Sequence, residues 1–292
     1  MEKKDNIKKD SYSRDVLKKF SQHKLAMAGV TIILLEVLLV VVLPMVMNLD
    51  PYTSDVLNFS GSPGPGHILG TDDTGRDVFA RLVYGGRVSL LVGLLSAVIS
   101  LCIGVPLGLL AGYYKGIWET VIMRAADIFM SFPSMILILV LVSVFDPSVW
   151  TIIFVIGILG WTDFAKLIYG NVLSVREKEY VESAKAVGTK DLTILVKYVI
   201  PNAFAPILIN FTFRTAQAII QESSLSFLGM GVQPPEASWG NILYAAQSIT
   251  VLSSRPWLWV PAGILLVLTV SSINFIGDGL RDALDSKTKI KK

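Results

Sequence analysis

Long apolar runs separated by short charged stretches set the pattern of this chain. A helix needs about 20 mostly apolar residues to cross roughly 30 Å of hydrocarbon. Six runs meet or approach that length: Leu25–Met47, Val88–Tyr113, Ala125–Phe145, Val149–Ile168, Ala203–Ile220 and Trp257–Phe275. The fifth is interrupted by Asn210 and Arg214. A central Arg costs about 2.5–3.5 kcal/mol on insertion, so Arg214 is expected to face protein or water rather than lipid. The first run follows a basic stretch, as in a signal peptide. An h-region, however, is only about 7–15 residues and ends near a small-residue cleavage site. This run is longer and ends in Pro44-Met-Val-Met-Asn-Leu-Asp50, so it reads as a retained span.

Two finer patterns lie on this frame. Gly104, Gly108 and Gly112 recur one turn apart in the second run, a spacing that lets helices approach closely, and Pro106 in the same run is expected to kink it. Between the fourth and fifth runs, Tyr180, Val181, Ala184 and Val187 form one apolar stripe of a short helix. Gly188 then stands where a left-handed C-cap is expected. A second short helix, about Lys190–Val199, is predicted to end at Pro201. The stripe suits a groove on a soluble partner and equally a helix lying on the membrane surface.

Composition agrees with a membrane protein. The chain is 52% hydrophobic and 17% charged, against about 25% charged in soluble proteins. Mean hydropathy is +0.59. Twenty-one Lys and Arg fall in the N-terminal tail, the 113–124 loop, the segment after the fourth run and the C-terminal tail, against four (Arg76, Arg81, Arg87, Arg255) on the other side. Cytoplasmic loops collect basic residues, so both termini are expected in the cytoplasm, which requires an even number of spans. The resulting fold class is an all-α polytopic membrane protein with about six transmembrane helices. Its parts are a basic tail (1–24), a first span (25–47), an extracytoplasmic segment (48–87), a core of five spans (88–275) carrying an amphipathic cytoplasmic segment (176–201), and a tail (276–292).

The chemistry-bearing residues exclude more than they include. Only His23 and His67 are present, too few for His-based catalysis or a multi-His metal cage, so no catalytic or metal residue is assigned. His67 precedes Asp72, Asp73 and Asp77, a loop read as solvated rather than metal-binding. Cys102, inside an apolar run, reads as a buried small hydrophobe. The chain carries no G-x-x-x-x-G-K-[ST] phosphate loop, so any ATPase must be another chain, and nothing points to nucleic acid. No charge recurs along several spans as a proton relay requires, which argues against a self-sufficient secondary transporter.

The 176–201 segment resembles the cytoplasmic loop of ABC-importer permeases, E-A-A, three residues, G, nine residues, I-x-L-P. The matching residues are Glu182, Ser183, Ala184, Gly188, Tyr198, Ile200 and Pro201, with Ser183 for an Ala and Tyr198 for the Ile. Three further stretches resemble the peptide and nickel permeases: Leu69-Gly-Thr-Asp-Asp-Thr-Gly-Arg-Asp77, Arg124-Ala-Ala-Asp-Ile-Phe-Met-Ser-Phe-Pro133, and Glu222 through Gly240. Together they are similar to the C-type permease subunit of a dipeptide, oligopeptide or nickel importer. The resemblance implies a multi-pass protein of a prokaryotic plasma (inner) membrane, paired with a homologous permease as a heterodimer. It implies two cytoplasmic ATPase subunits, which bind ATP and Mg while this chain binds no cofactor, and an extracytoplasmic substrate-binding protein. Tyr180, Glu182, Ser183, Ala184, Gly188, Tyr198 and Pro201 are then coupling candidates.

Arg214, Gln221 and Glu222 are pathway candidates. Gln221 and Glu222 end the fifth run, where they meet a peptide's amino terminus or simply cap the helix in water. Arg214 contacts substrate or a partner subunit. Asp127 is expected to pair with Arg124, three residues earlier. Trp239, Trp257 and Trp259 read as an interfacial aromatic belt.

Overall fold

Residue by residue, the computed structural model describes 12–145 and 148–284. The expected basic clusters at Lys3, Lys4, Lys8 and Lys9 and at Lys287, Lys289, Lys291 and Lys292 lie outside the described residues. Within them the chain is helical, apart from short connecting turns, the irregular stretch 228–238, and the segment between the first two spans, which carries isolated bridges. Helix α1 (Tyr12–Gln22) meets α2 (Lys24–Met47) at His23, whose Nδ1 accepts the Ala26 N–H at 3.1 Å. Helix α3 (Val78–Tyr114) starts ten residues before the predicted second span. Asp77 caps it by accepting the Ala80 N–H at 2.7 Å. At about 1.5 Å per residue, its 37 residues reach well beyond the hydrocarbon layer at one end.

The glycine ladder of α3 lies against α7 (Trp161–Arg176), which follows α6 (Val149–Leu159) after a break at Gly160. A Cβ on Gly104 would stand 2.3 Å from the Trp161 carbonyl oxygen, on Gly108 2.6 Å from that of Ala165, and on Gly112 2.6 Å from Val172 Cβ. The backbones meet there because no side chain stands between them. The helix runs unbroken through Pro106.

The third run is not one straight span. It consists of α4 (Gly116–Met130) and α5 (Ser134–Val144), bent by 88°. Pro133 has no N–H and disfavours helical backbone at Phe132. Ser131 turns back to the Ile128 carbonyl (2.7 Å), and the Pro133 carbonyl starts the next helix by accepting from Ile136 (3.0 Å). Among the described residues, five helical segments are long and apolar enough to cross a membrane, 24–47, 78–114, 149–176, 191–227 and 260–284, and a sixth if the bent pair counts as one.

After α7 come α8 (Glu179–Ala186) and α9 (Asp191–Ile194). The predicted stop at Pro201 does not occur. A π-helical stretch, Leu195–Val199, carries α9 directly into α10 (Ile200–Phe227). The Ile200 N–H reaches back five residues to Leu195, and this wider turn accommodates a proline that cannot donate to the carbonyl four residues back. The chain then forms α11 (Trp239–Tyr244), α12 (Ile249–Ser254) and α13 (Val260–Leu284).

The bundle has two distinct ends. At the tail end, α1 meets the end of α13: Phe20 packs near Gly279, and His23 Nε2 lies 3.4 Å from Asp282. The α8–α9 segment packs there too. At the opposite end, the cap, lie the 48–77 segment, the start of α3 and α11. Helix α2 is peripheral and is fastened to α13 by polar glue. Gly29 sits against the Ser272 backbone, and the Thr269 hydroxyl donates to the buried Glu36 carboxylate at 2.8 Å. Its outer face, with Leu34, Leu35 and Leu38, is exposed, as a lipid-facing helix requires. Cys102 is also exposed rather than buried; the glycine face of α3 turns inward, which leaves Cys102 outside.

Candidate functional site

The tail-end segment sorts its apolar residues onto two faces. Val181, Ala184, Ile194, Leu195 and Val199 are buried with Ile168, Val172 and Val175 in one cluster that anchors the segment to the bundle. The expected stripe is therefore split. Tyr180 and Val187 are exposed, and the outward surface carries Val187 (81% exposed), Leu192 (71%) and Val196, beside exposed Glu182 and Ser183. Apolar side chains standing this free at a helix corner leave area for a partner to cover.

Gly188 turns that corner. Its φ is +77°, its N–H bonds to Lys185 O (2.9 Å), and the Thr189 N–H bonds to Ala184 O (3.0 Å), which is the left-handed helix stop. A Cβ there would meet nothing within 4 Å, so backbone conformation alone requires glycine. Tyr180 and Tyr198 stand with ring centroids 5.9 Å apart, and Asn202 donates to the Tyr198 carbonyl at 2.6 Å. Pro201 is exposed in the first turn of α10.

Tyr113 is a residue that sequence reasoning missed. Its hydroxyl donates to Asp191 Oδ1 at 2.6 Å, its carbonyl accepts from Arg176 at 3.0 Å, and Lys185 Nζ lies 4.9 Å over its ring. The end of α3 is thus tied to both short helices. No local signal marks this, since Tyr113 and Asp191 are 78 residues apart.

At the cap end, the Leu69–Asp77 stretch proves to be a folding unit. Asp72 Oδ1 accepts from the Thr74 N–H (2.9 Å), the Thr74 hydroxyl (2.7 Å) and the Arg76 N–H (3.0 Å), while Oδ2 meets Arg76 Nε (2.9 Å) and Arg81 Nε (3.5 Å). Burial pushes this carboxyl up, but the bonds from Arg76 and Thr74 and the Arg76 charge outweigh it. The net position is below the usual carboxylate range. Gly70 and Gly75 have positive φ, and a Cβ on either would collide with a backbone carbonyl, at 2.2 and 2.4 Å. His67 belongs to the same unit, with Nδ1 2.8 Å from Asp77 and Nε2 3.5 Å from Asp55. The hydrogen bond to Asp77 raises its pKa, against the smaller effect of burial, with Asp55 adding to the rise. Among the described residues no group of three or more His, Cys, Asp or Glu side chains is arranged to hold a metal ion.

Glu222 does not end its helix, which runs on to Phe227, and it does not meet water. It is 0% exposed. Ser226 donates to its Oε1 at 2.8 Å, and Ser89 and Ser223 reach its Oε2 at 3.0 and 3.4 Å. Ser89 also accepts the Trp239 N–H (3.2 Å), and the Trp239 indole donates to Leu82 O (3.0 Å). Trp239 is therefore a buried peg joining α3, α10 and α11, not part of an aromatic belt. Ser238 and Asn241 close a capping box behind it. Gln221 is buried beside Glu222, with its Oε1 unpartnered. A separate cavity of about 860 Å³ opens between the 72–81 region and the α11–α12 loop.

Arg214 faces inward, as its cost in lipid demands, at 5% exposure. Its guanidinium caps the end of α6, donating to Ile156 O at 2.7 Å. It fits because Gly160 has no side chain; a Cβ there would lie 2.3 Å from the guanidinium. Asp127 pairs with Lys166 at 2.8 Å and not with Arg124, because α4 packs across α7. Tail segment, cap and Arg214 are separate places, so the candidate residues do not form one site.

This arrangement defines a helical membrane protein with an exposed apolar corner at one end. Residues 104–290 match the family described as the binding-protein-dependent transport system inner membrane component, and residues 11–63 match the N-terminal transmembrane domain of oligopeptide transport permease C. The oligopeptide transport system permease protein OppC of Bacillus subtilis is 38% identical over 98% of this chain and 93% of its own length. The dipeptide transport system permease protein DppC of Alkalihalophilus pseudofirmus is 38% identical over 94% and 90%. The glutathione transport system permease protein GsiD of Pectobacterium atrosepticum is 36% identical over 92% and 88%. A solved structure of the MetNI methionine ABC transporter, in inward-facing conformations, shares the fold with a TM-score of 0.58 at 20% identity, over 70% of this chain and 96% of that one.

The chain belongs to the binding-protein-dependent permease family, in its C-type branch. It is a multi-pass membrane subunit of an ABC importer.

Proposed function

We propose that this subunit, with a homologous permease, lines the translocation pathway of an ATP-driven importer of short peptides. Its tail end faces the cytoplasm and its cap end faces outward, as the distribution of Lys and Arg favours. Two ATPase chains dock on the α8–α9 corner, and they alone hold ATP and Mg; this chain carries no catalytic residue of its own. An extracytoplasmic binding protein delivers substrate to the cap.

One observation carries the coupling role. The exposed Val187, Leu192 and Val196 stand on a corner whose other face is bolted to α3, α7 and α10. A push on that corner passes through Tyr113–Asp191 and the continuous α9–α10 helix into the spans. Relatives named for oligopeptide, dipeptide and glutathione transport support peptides as the solute. The test is uptake of labelled short peptides and of nickel ions in cells with and without the gene. Peptide uptake is expected to be lost without it and restored with it; loss of nickel uptake alone would overturn the peptide reading.

A further inference from the structure

A cavity of about 530 Å³ lies between α4, α7 and α10, lined by Met130, Asp163, Lys166, Asn210, Arg214 and Gln217 among others. Its size suits a small solute. Its depth sets it apart. Asp163 lies in the middle of the 149–176 span, fourteen residues from Val149 and thirteen from Arg176, and Arg214 lies thirteen residues from Phe227, each about 20 Å along the axis. That is well inside the bilayer, where ionisable side chains are costly and line substrate paths.

Arg214 presents two unlike edges. Nη2 donates to Ile156 O at 2.7 Å and Nε turns to the buried Ser100 Oγ at 3.4 Å, both away from the cavity lining. Nη1 has only loose neighbours, Gln217 Oε1 at 3.4 Å and Asp163 Oδ2 at 3.9 Å. The Asn210 amide nitrogen is buried with no hydrogen-bond partner. Lys166 reaches the same space while half exposed and paired with Asp127. Two cations, an idle amide donor and a weakly held carboxylate therefore share one cavity.

We infer that this cavity is a subsite of the pathway for the free carboxylate of a short peptide. The carboxylate takes the Arg214 Nη1 edge, the Asn210 amide and Lys166, and displaces Asp163 from its long contact with Arg214. Charge-assisted bonds of this kind are short and directional, and the loose 3.9 Å pair is the easiest one for a solute to exchange. This inference rests on the peptide reading above.

The experiment uses the complete transporter in liposomes, with its ATPases and with binding protein loaded beforehand. A labelled tripeptide is compared with the same tripeptide bearing a C-terminal amide. The variants are Asn210→Leu and Lys166→Gln, which leave the structural edge of Arg214 intact. Each is expected to lower uptake of the free acid about tenfold, as loss of a hydrogen bond to a charged group does. Amide uptake and the ATPase stimulation given by loaded binding protein are expected to stay unchanged. Equal falls for both peptides, or unchanged uptake of the acid, overturn the subsite while leaving the peptide reading in place. Equal falls accompanied by loss of the permease partner on gel filtration assign the cavity to a subunit contact and overturn it too. Wild-type liposomes that take up neither peptide overturn the peptide reading itself.

Discussion

The two ends of this permease use their sequence motifs in opposite ways. At the cap, the carboxylates of Asp72 in the Leu69–Asp77 stretch and of Glu222 in the Glu222–Gly240 stretch find their partners within the chain. Asp72 is filled by Thr74, Arg76 and Arg81, and Glu222 by Ser89, Ser223 and Ser226. At the tail end, the Glu182–Pro201 stretch closes only one side. Its inner residues pack, while Val187, Leu192 and Val196 are left in the open. Motifs of similar length thus mark different things, a closed polar knot in one case and an unfinished surface in the other. A partner is expected where the satisfied contacts stop.

The comparison breaks most sharply at Gly188. Gly188→Val forces a β-branched residue into a left-handed backbone, which costs about 1–2 kcal/mol or more, and no neighbour compensates. Peptide uptake is expected to fall about tenfold or more, with the protein still inserted and ATP hydrolysis detached from transport. Parallel uptake and ATPase assays on membranes check this.

At the cap the expected effect is on stability. Glu222→Ala leaves three buried serines facing an empty site, a loss of about 3 kcal/mol. That corresponds to a fall of roughly 5–10 °C in the thermal midpoint of the purified complex. Glu222→Gln, which keeps the acceptor oxygen, is expected to lose less than half of that. If both variants melt like the wild type, the knot does not hold the cap.

Asp72→Ala is smaller in scope. It frees Thr74 and Arg76 and is expected to raise protease cleavage within 48–77 severalfold, with uptake little changed. The pH dependence is smaller still and has two opposite arms. The His67 pKa is raised, so its ion pairs with Asp77 and Asp55 help below the ordinary imidazole value of about 6.5 and fade as pH climbs through the raised one. The Asp72 pKa is lowered, so its contribution is present above the ordinary carboxylate range and fades as pH falls through the lowered value. Cleavage of the 48–77 segment is expected to be slowest in mildly acidic buffer and faster on either side. His67→Gln should remove the alkaline arm alone.

Local patterns carried much of this fold. Apolar runs marked the spans, the four-residue spacing of Gly104, Gly108 and Gly112 marked the α3–α7 contact, and Gly188 after an apolar stripe marked the helix stop. What could not be read was set by distant partners. Pro133 signals a break, but its 88° angle comes from how α4 and α5 pack. Glu222 beside Gln221 looks like a solvated helix end because Ser89, which buries it, is 133 residues away. Pro201 looked like a stop because no residue type signals a π turn. The exposed apolar face of the tail segment was legible only in part, since the stripe of Tyr180, Val181, Ala184 and Val187 splits between two faces once α9 packs beside it.

The most direct test of the docking surface is a cysteine at Val187 in a Cys102→Ser background, in intact cells carrying the whole transporter. A membrane-impermeant thiol reagent added outside is expected to leave it unlabelled, and a short bifunctional cross-linker added after lysis is expected to join it to an ATPase chain, with no such product when the ATPase gene is deleted. Labelling from outside, or a cysteine at 187 that cross-links to no ATPase while uptake stays normal, would contradict the assignment of this corner as the coupling surface.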